Sequence, residues 1–297
     1  MTLVKRLVVF SMLLVLTGCV SDRDDLLLYG IVDQNDGVVV IHVSGGRLQR
    51  LAKANELRPA AIKEDWSRSL VGLRPIWVQG GFLYYHLPAV VNEDSQANAS
   101  RGGIYRKQLN SQLTPELLVE TPKLKGLHKR AGSSKVIATT ENNELLMIDM
   151  SERSVRPLNV EPCSFASWAS NGRHIVAGAE EGKDVLLIDS VSGKVERTEP
   201  VGADSMKRIF AVAGGNRYVF QNGSAVSFYD VTSKTVETSK ISAMSLISDL
   251  YYDDAIGTAY ALVPNDRDGS TVVAVDIKAN HVRRLVRGVL TDSVTGN

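Results

Sequence analysis

The sequence predicts an all-β fold, a β-propeller built from a repeat of about forty residues. Three observations carry this. First, one phrase recurs: an apolar strand, an Asp, a few turn residues and a second short strand. It stands as ELLMIDMSERSVRPL (144–158), DVLLIDSVSGKVERT (184–198), AVSFYDVTSKTVETS (225–239) and TVVAVDIKANHVRRL (271–285). The anchors are Asp149, Asp189, Asp230 and Asp276, spaced by 40, 41 and 46 residues. Second, each copy follows two more segments rich in β-branched and aromatic residues, bounded by Asn-Gly, Gly-Gly or Gly-Asn, as in SFASWASNG then RHIVAGAEEG. Third, no segment beyond the leader sustains a helical period.

Taken in order, the chain opens on a secretory leader. Lys5 and Arg6 precede an apolar run from Leu7 to Leu16, too short for a bilayer span of about 20 residues. The run ends in Leu16-Thr17-Gly18-Cys19, the small residues before a cysteine that a lipoprotein signal peptidase requires. The expected organisation is therefore a signal peptide over 1–18, a lipidated tether over 19–25 and a single propeller over 26–297. Lipid on Cys19 then anchors the protein to a bilayer. Val20 stands where an Asp would favour inner-membrane retention, which points to the periplasmic face of the outer membrane in a Gram-negative cell envelope.

Two weaker copies of the repeat lie upstream of Asp149, with Gln108 and His42 at the anchor. The excess length between them is taken up by the polar segment 89–101 and by a connection around Pro59 to Trp66. The start LLLYGIVDQNDG reads as a second blade strand without a first. The terminal VRGVLTDSVTGN reads as an unmatched strand, so the end of the chain is expected to complete the first blade and hide its edges. Six anchors give six blades; a degenerate repeat in the long gap would give seven.

At net charge +1, with 44% apolar residues, the composition excludes the strongly basic footprint of a nucleic-acid binder and permits a sizeable core. Only Cys163 remains besides Cys19, so no internal disulfide can form; its setting in CSFASW marks it as a core thiol.

Catalytic and metal motifs fail on inspection. The aligned aspartates sit where a strand enters a turn, a position at which Asp accepts backbone hydrogen bonds. Pro264 to Ser270 lacks the distal carboxylate of a calcium loop and reads as a hairpin. The five histidines, His42, His86, His128, His174 and His281, never pair at metal-ligand spacing and read as surface or strand residues. Gly178 to Lys183 is one residue short of a phosphate-binding loop, and no Gly-x-Ser-x-Gly elbow occurs. No cofactor is expected. Two features suit partners: the basic run Lys123, Lys125, His128, Lys129, Arg130, read as a solvated face, and Asn92, Glu93 and Asp94 within the long polar loop.

The stretch WASNGRHIVAGAEEGKDVLLIDSVSGKVERT (168–198) resembles the blades of TolB-type periplasmic propellers, in which a Ser-Pro-Asp-Gly-Lys turn precedes one strand and an I-Y-x-x-D strand follows. Asn171-Gly172-Arg173 stands in for Asp-Gly-Lys, and the proline is missing. A looser similarity links the chain to the propeller lipoprotein of the outer-membrane assembly machine. The resemblance implies a fold, not an activity. The reading is a non-enzymatic scaffold for another envelope protein. The alternatives are a lactonase- or lyase-type enzyme with inward carboxylates or histidines at the axis, and a small-ligand sensor in the central funnel.

Overall fold

A computed structural model describes residues 26–296, except for short internal stretches of which 63–71, 90–101 and 239–246 are the longest. Side chains are described mainly between Arg50 and Leu285. The leader, Cys19 and the loop residues Asn92, Glu93 and Asp94 lie outside the described residues.

The chain runs as successive antiparallel meanders. The first comprises β1 (Leu26–Asp33), β2 (Gly37–Ser44) and β3 (Arg47–Lys53), followed by a single 3-10 turn, Ala54–Leu57. Next come β4 (Arg74–Gln79), β5 (Phe82–Leu87), β6 (Gly103–Gln108) and β7 (Glu116–Glu120). The third set is β8 (Leu124–Lys129), β9 (Lys135–Thr140), β10 (Leu145–Asp149) and β11 (Ser154–Leu158). The fourth is β12 (Cys163–Trp168), β13 (His174–Ala179), β14 (Asp184–Asp189) and β15 (Val195–Pro200). The fifth is β16 (Met206–Val212), β17 (Arg217–Asn222), β18 (Ala225–Asp230) and β19 (Thr235–Thr238). The last is β20 (Asp249–Asp253), β21 (Thr258–Asn265), β22 (Gly269–Asp276) and β23 (His281–Val289). Finally β24 (Val294–Gly296) returns to β1, with Leu26 opposite Gly296 and Leu28 opposite Val294.

The architecture is an all-β propeller: the described strands fall into four-stranded sheets, six in number. Five of these, from β4–β7 to β20–β23, are blades with described side chains, fewer than the six or seven that the repeat predicts. The sheet β24-β1-β2-β3 is defined by its backbone ladder alone. No seventh sheet occurs among the described residues. The inner strands β4, β8, β12, β16, β20 and β24 each touch the next around a cycle that closes from β24 to β4. The terminal segment is shorter than the sequence implies: Val286–Val289 continues β23, and only Val294–Gly296 pairs with β1.

The third strand of five sheets ends at the repeat anchor, Gln108, Asp149, Asp189, Asp230 or Asp276, whereas His42 falls two residues short of the end of β2. Middle strands such as β10 and β14 are buried on both faces and read as continuous apolar runs. Outer strands β11 and β19 are almost wholly exposed, and their charged residues or proline keep the edge from pairing with another chain. The core lies between blades: Ile137, Leu145 and Met147 pack against Trp168, Ile175 and Leu186 of the next blade. Burying a side chain of that size stabilises by roughly 1.5–3 kcal/mol, so adjacent blades hold each other. Cys163 is buried, and burial pushes its thiol up to about 12.

Candidate functional site

The anchors do what their position implies. Asp149 Oδ1 accepts from Ser151 N at 3.0 Å, Ser151 Oγ at 2.6 Å and Ser134 Oγ at 2.9 Å. Asp189 Oδ1 accepts from Ser192 N at 2.8 Å, and Asp230 Oδ1 from Ser233 N at 3.0 Å. These backbone bonds, with Ser192 Oγ and Arg173 for Asp189 and Arg217 for Asp230, hold both carboxyls at about 2. The aspartates are turn anchors. The Pro264 stretch is likewise a hairpin, with Asn265 opposite Gly269. Directly after the Gly178–Lys183 stretch the chain continues from Asp184 as strand β14, not as the helix that a phosphate-binding loop requires.

Among the described residues one trio has metal-ligand proximity: His174, Asp189 and Glu196, whose ligand atoms lie within 4.8 Å of one another. Each is already engaged. Asn171 Nδ2 bonds His174 Nδ1 at 2.9 Å, His174 Nε2 bonds Glu196 Oε2 at 2.9 Å, and the Arg173 guanidinium lies 3.2 Å from Asp189 and 3.6 Å from Glu196. A guanidinium between two carboxylates supplies the positive charge that a metal would bring, so the trio is an ion-pair network. Gly172 makes the adjoining turn at φ +62°, with the Arg130 guanidinium 2.7 Å from where a Cβ would stand; a side chain there would meet both strain and a clash.

The basic run does not form the solvated face that its sequence suggests. Residues Leu124–Lys129 are β8, an inner strand, so the run lies along the axis. Alternation along a strand then separates its members. Lys123, exposed just before β8, pairs with Glu141 at 2.7 Å. Lys125 bonds Asn143 and lies 5.4 Å from the Phe165 ring centre. Lys129 lies 5.2 Å over Trp77, and Arg130 5.4 Å over Trp168. His128 and Lys129 face an axial cavity completed by Arg74 from β4, Phe165 from β12, Arg208 and Phe210 from β16, and Asp249 and Tyr251 from β20.

This cavity is where inner strands from separate blades converge. Arg208 Nε bonds Asp249 Oδ1 at 2.5 Å, and Asp249 also accepts from Leu250 N at 3.0 Å. Arg208 Cζ stands 4.7 Å over Phe165. Arg74 Nη1 donates to the Lys125 carbonyl at 2.6 Å, tying β4 to β8. His128 Nδ1 accepts from Trp168 N at 3.1 Å, which ties β8 to β12. Phe210 packs edge-on to His128 at 5.6 Å and to Tyr251 at 5.9 Å. Burial, then the charges of Arg208 and Lys129, lower His128 to about 4, so its ring is neutral at pH 7. The described lining holds one carboxylate and one histidine, not the ring of either that a lactonase or lyase centre would draw from its blades. His86, on strand β5 opposite Arg74, is also buried, and neither ring nitrogen has a hydrogen-bond partner among the described residues.

No protein-family model matches the chain, and no curated protein matches it. Solved structures do. TolB from Acinetobacter baumannii superposes with a TM-score of 0.64 at 14% identity, over 92% of this chain and 66% of that one. The likeness is one of fold. Weaker similarities reach a chain of a mitotic checkpoint complex, with a TM-score of 0.49 at 14% identity over 87% of this chain and 75% of that one. Another is Kuenenia stuttgartiensis hydrazine synthase, at 0.44 and 13%, over 57% of this chain and 50% of that one. This chain spans just under two thirds of the TolB chain, and at such identity the comparison establishes the β-propeller and nothing of the partner.

Proposed function

We propose that the chain is a lipid-anchored envelope protein whose β-propeller is a non-enzymatic scaffold for another envelope protein. The observation that carries this reading is the cyclic contact of the inner strands, joined by the pairing of β24 with β1. A ring closed between its two ends is a preorganised body, and preorganised surfaces lose less entropy on docking. The sequence supports the tether: Leu16-Thr17-Gly18-Cys19 precedes a short polar leash, and lipid on Cys19 would hold the ring at the periplasmic face of the outer membrane. The contact surface is assigned to Asn92, Glu93 and Asp94 together with the ends of the β8 run: Lys123 and Lys125 at one, Lys129 and Arg130 at the other.

The test is crosslinking in the native membrane followed by affinity capture and mass spectrometry. A stoichiometric envelope protein is expected, lost on deletion of 89–101, while Cys19→Ala releases the protein from the membrane fraction. Recovery of no stoichiometric partner from either membrane would overturn the scaffold reading.

A further inference from the structure

The blades differ at the seam where each packs on the next. In three of them the residue two places before the anchor, Met147, Leu187 or Phe228, lies opposite Ile137, Val176 or Val219 of the second strand, and both members of each pair pack on the following blade. In the β4–β7 blade that place holds Arg106, opposite Tyr84. The apolar filling of the repeat is missing from this seam, and a cleft of about 410 Å³ opens between the β4–β7 and β8–β11 blades. Small-molecule sites span roughly 300–1,000 Å³, so the room suits a ligand rather than a few waters.

Its walls are polar, fixed in place and only partly engaged. Glu116 Oε2 accepts from Arg106 Nε at 2.8 Å and Nη2 at 2.7 Å, and Glu116 Oε1 accepts from Arg153 Nη2 at 2.5 Å. One carboxylate thus pins guanidiniums from two adjacent blades, and the other two nitrogens of the Arg153 guanidinium have no partner among the described residues. Ser133 Oγ accepts from the Lys135 amide at 3.2 Å, and its own hydrogen has no acceptor among the described residues. The exposed Gln79 side chain brings a donor and an acceptor, likewise without a described partner. Apolar contact comes from Leu118, Met150 and the Tyr84 ring, which Trp77 backs at 4.0 Å and 5°.

Charge and hydrogen-bonding capacity narrow the guest. The two guanidiniums are set against Glu116 and against Asp149, which accepts from Ser134 and Ser151 of the same wall, so little net charge is left to draw an anion into an open cleft. An anion would also use the donors alone. A sugar uses donors and acceptors together: its hydroxyls do both, a guanidinium edge spans two neighbouring ones, and the C–H face of the ring lies on apolar or aromatic surface.

We propose that the cleft between the β4–β7 and β8–β11 blades is a binding site for a neutral oligosaccharide, with Arg153, Ser133 and Gln79 as its hydrogen-bonding contacts and Tyr84 as its apolar one. Arg106 is a positioning residue: it fixes Arg153 through Glu116, and its place in the repeat keeps the seam open. The site goes beyond the scaffold reading and does not depend on it, since it fills or stays empty whether or not a protein docks on the propeller.

The experiment is a titration of the full chain with neutral disaccharides, namely maltose, cellobiose, lactose and N,N′-diacetylchitobiose, followed by calorimetry and by the ring resonances of Trp77 and Tyr84. At least one is expected to bind with a Kd below ~10 mM and to shift both rings. Arg106→Met, which puts the apolar residue of the other blades into this seam, is expected to weaken that sugar by about tenfold or more while the protein stays folded. Arg153→Gln should weaken it by about tenfold, the loss of hydrogen bonds from a charged donor. If Arg106→Met does not fold, as judged by circular dichroism, Arg153→Gln decides. The proposal is overturned if none of these sugars binds, if binding leaves Trp77 and Tyr84 unshifted, if acetate or inorganic phosphate binds more tightly than every sugar, or if either folded variant keeps the parent's affinity.

Discussion

The blade turns and the axial channel use the same residue types for opposite purposes. At the turns, each aspartate accepts backbone amides within three residues along the chain, Asp149 from Ser151 and Glu152, Asp189 from Val191 and Ser192, Asp230 from Thr232 and Ser233, and its more distant partner, Ser134, Arg173 or Arg217, comes from the same blade. At the axis, partners lie 40 or more residues apart: Arg208 with Asp249, the Trp168 amide with His128, Arg74 with the Lys125 carbonyl. The turns are local and repeated, so each can fail alone. The axis is assembled once, from several blades, and a loss there is felt by the ring.

The largest expected effect is therefore at Arg208. Its removal takes the guanidinium from Asp249, which is 1% exposed. Arg208→Ala is expected to cost about 3–5 kcal/mol, the usual result of removing one member of a buried ion pair. The double variant Arg208→Gln/Asp249→Asn, which removes both charges, should recover much of this. Denaturant unfolding of the three proteins checks the order; a double variant as unstable as the single would show that packing on Phe165, not charge, is what Arg208 provides.

Next comes a single turn. Asp149→Ala removes an acceptor from two hydroxyls and two backbone amides, and the expected loss is about 1.5–3 kcal/mol, since hydrogen bonds to a charged group are stronger than neutral ones. Asp149→Asn keeps one acceptor oxygen and should lose less. Because the turn is local, hydrogen exchange is expected to rise in β10 and β11 and to stay unchanged at β20. A change at β20 as well would break the contrast between separable turns and a shared axis.

That contrast also explains what could be read from the sequence. The anchors were visible because period and chemistry coincide: four copies repeat an Asp at the strand end, three of them just ahead of Ser or Thr. The strand order within each blade followed from the same alternation, and so did the pairing of the chain's two ends. The channel was not visible because Arg74, His128, Arg208 and Asp249 share no spacing motif and differ in type from blade to blade. Their common property is a place on the first strand of a repeat. Aligning all copies on their anchors and reading that one strand would have gathered them, and would have moved Lys129 from a presumed outer face to the axis. The Lys123-to-Arg130 run misled because clustered charge usually marks a solvated face, whereas here ring closure turned the strand inward.

The smallest effect at neutral pH, and the one that best separates the two regions, concerns His86. It is 1% exposed with neither nitrogen hydrogen-bonded among the described residues, and burial, then the charge of Arg74, lower it to about 3. At pH 7 the ring is neutral in both folded and unfolded chains, so His86→Leu removes only two buried polar atoms and should gain up to about 1 kcal/mol. As pH falls below the unfolded value of about 6.5, the unfolded chain takes up a proton that the folded chain refuses, so stability drops with falling pH. For such a histidine the loss reaches about 2 kcal/mol at pH 5. His128, lowered to about 4 beside Arg208 and Lys129, adds in the same direction. The anchors act in a lower window: Asp189 and Asp230, held at about 2, contribute stability that persists above the ordinary carboxylate value and is lost only as pH falls from about 4 toward 2. Denaturant unfolding at pH 7, 6 and 5 should thus show a decline that His86→Leu roughly halves. The slope below pH 4 should be left to the turns. A variant whose stability falls between pH 7 and 5 as steeply as the parent would remove His86 from the account and leave the acid sensitivity of the ring to His128 alone.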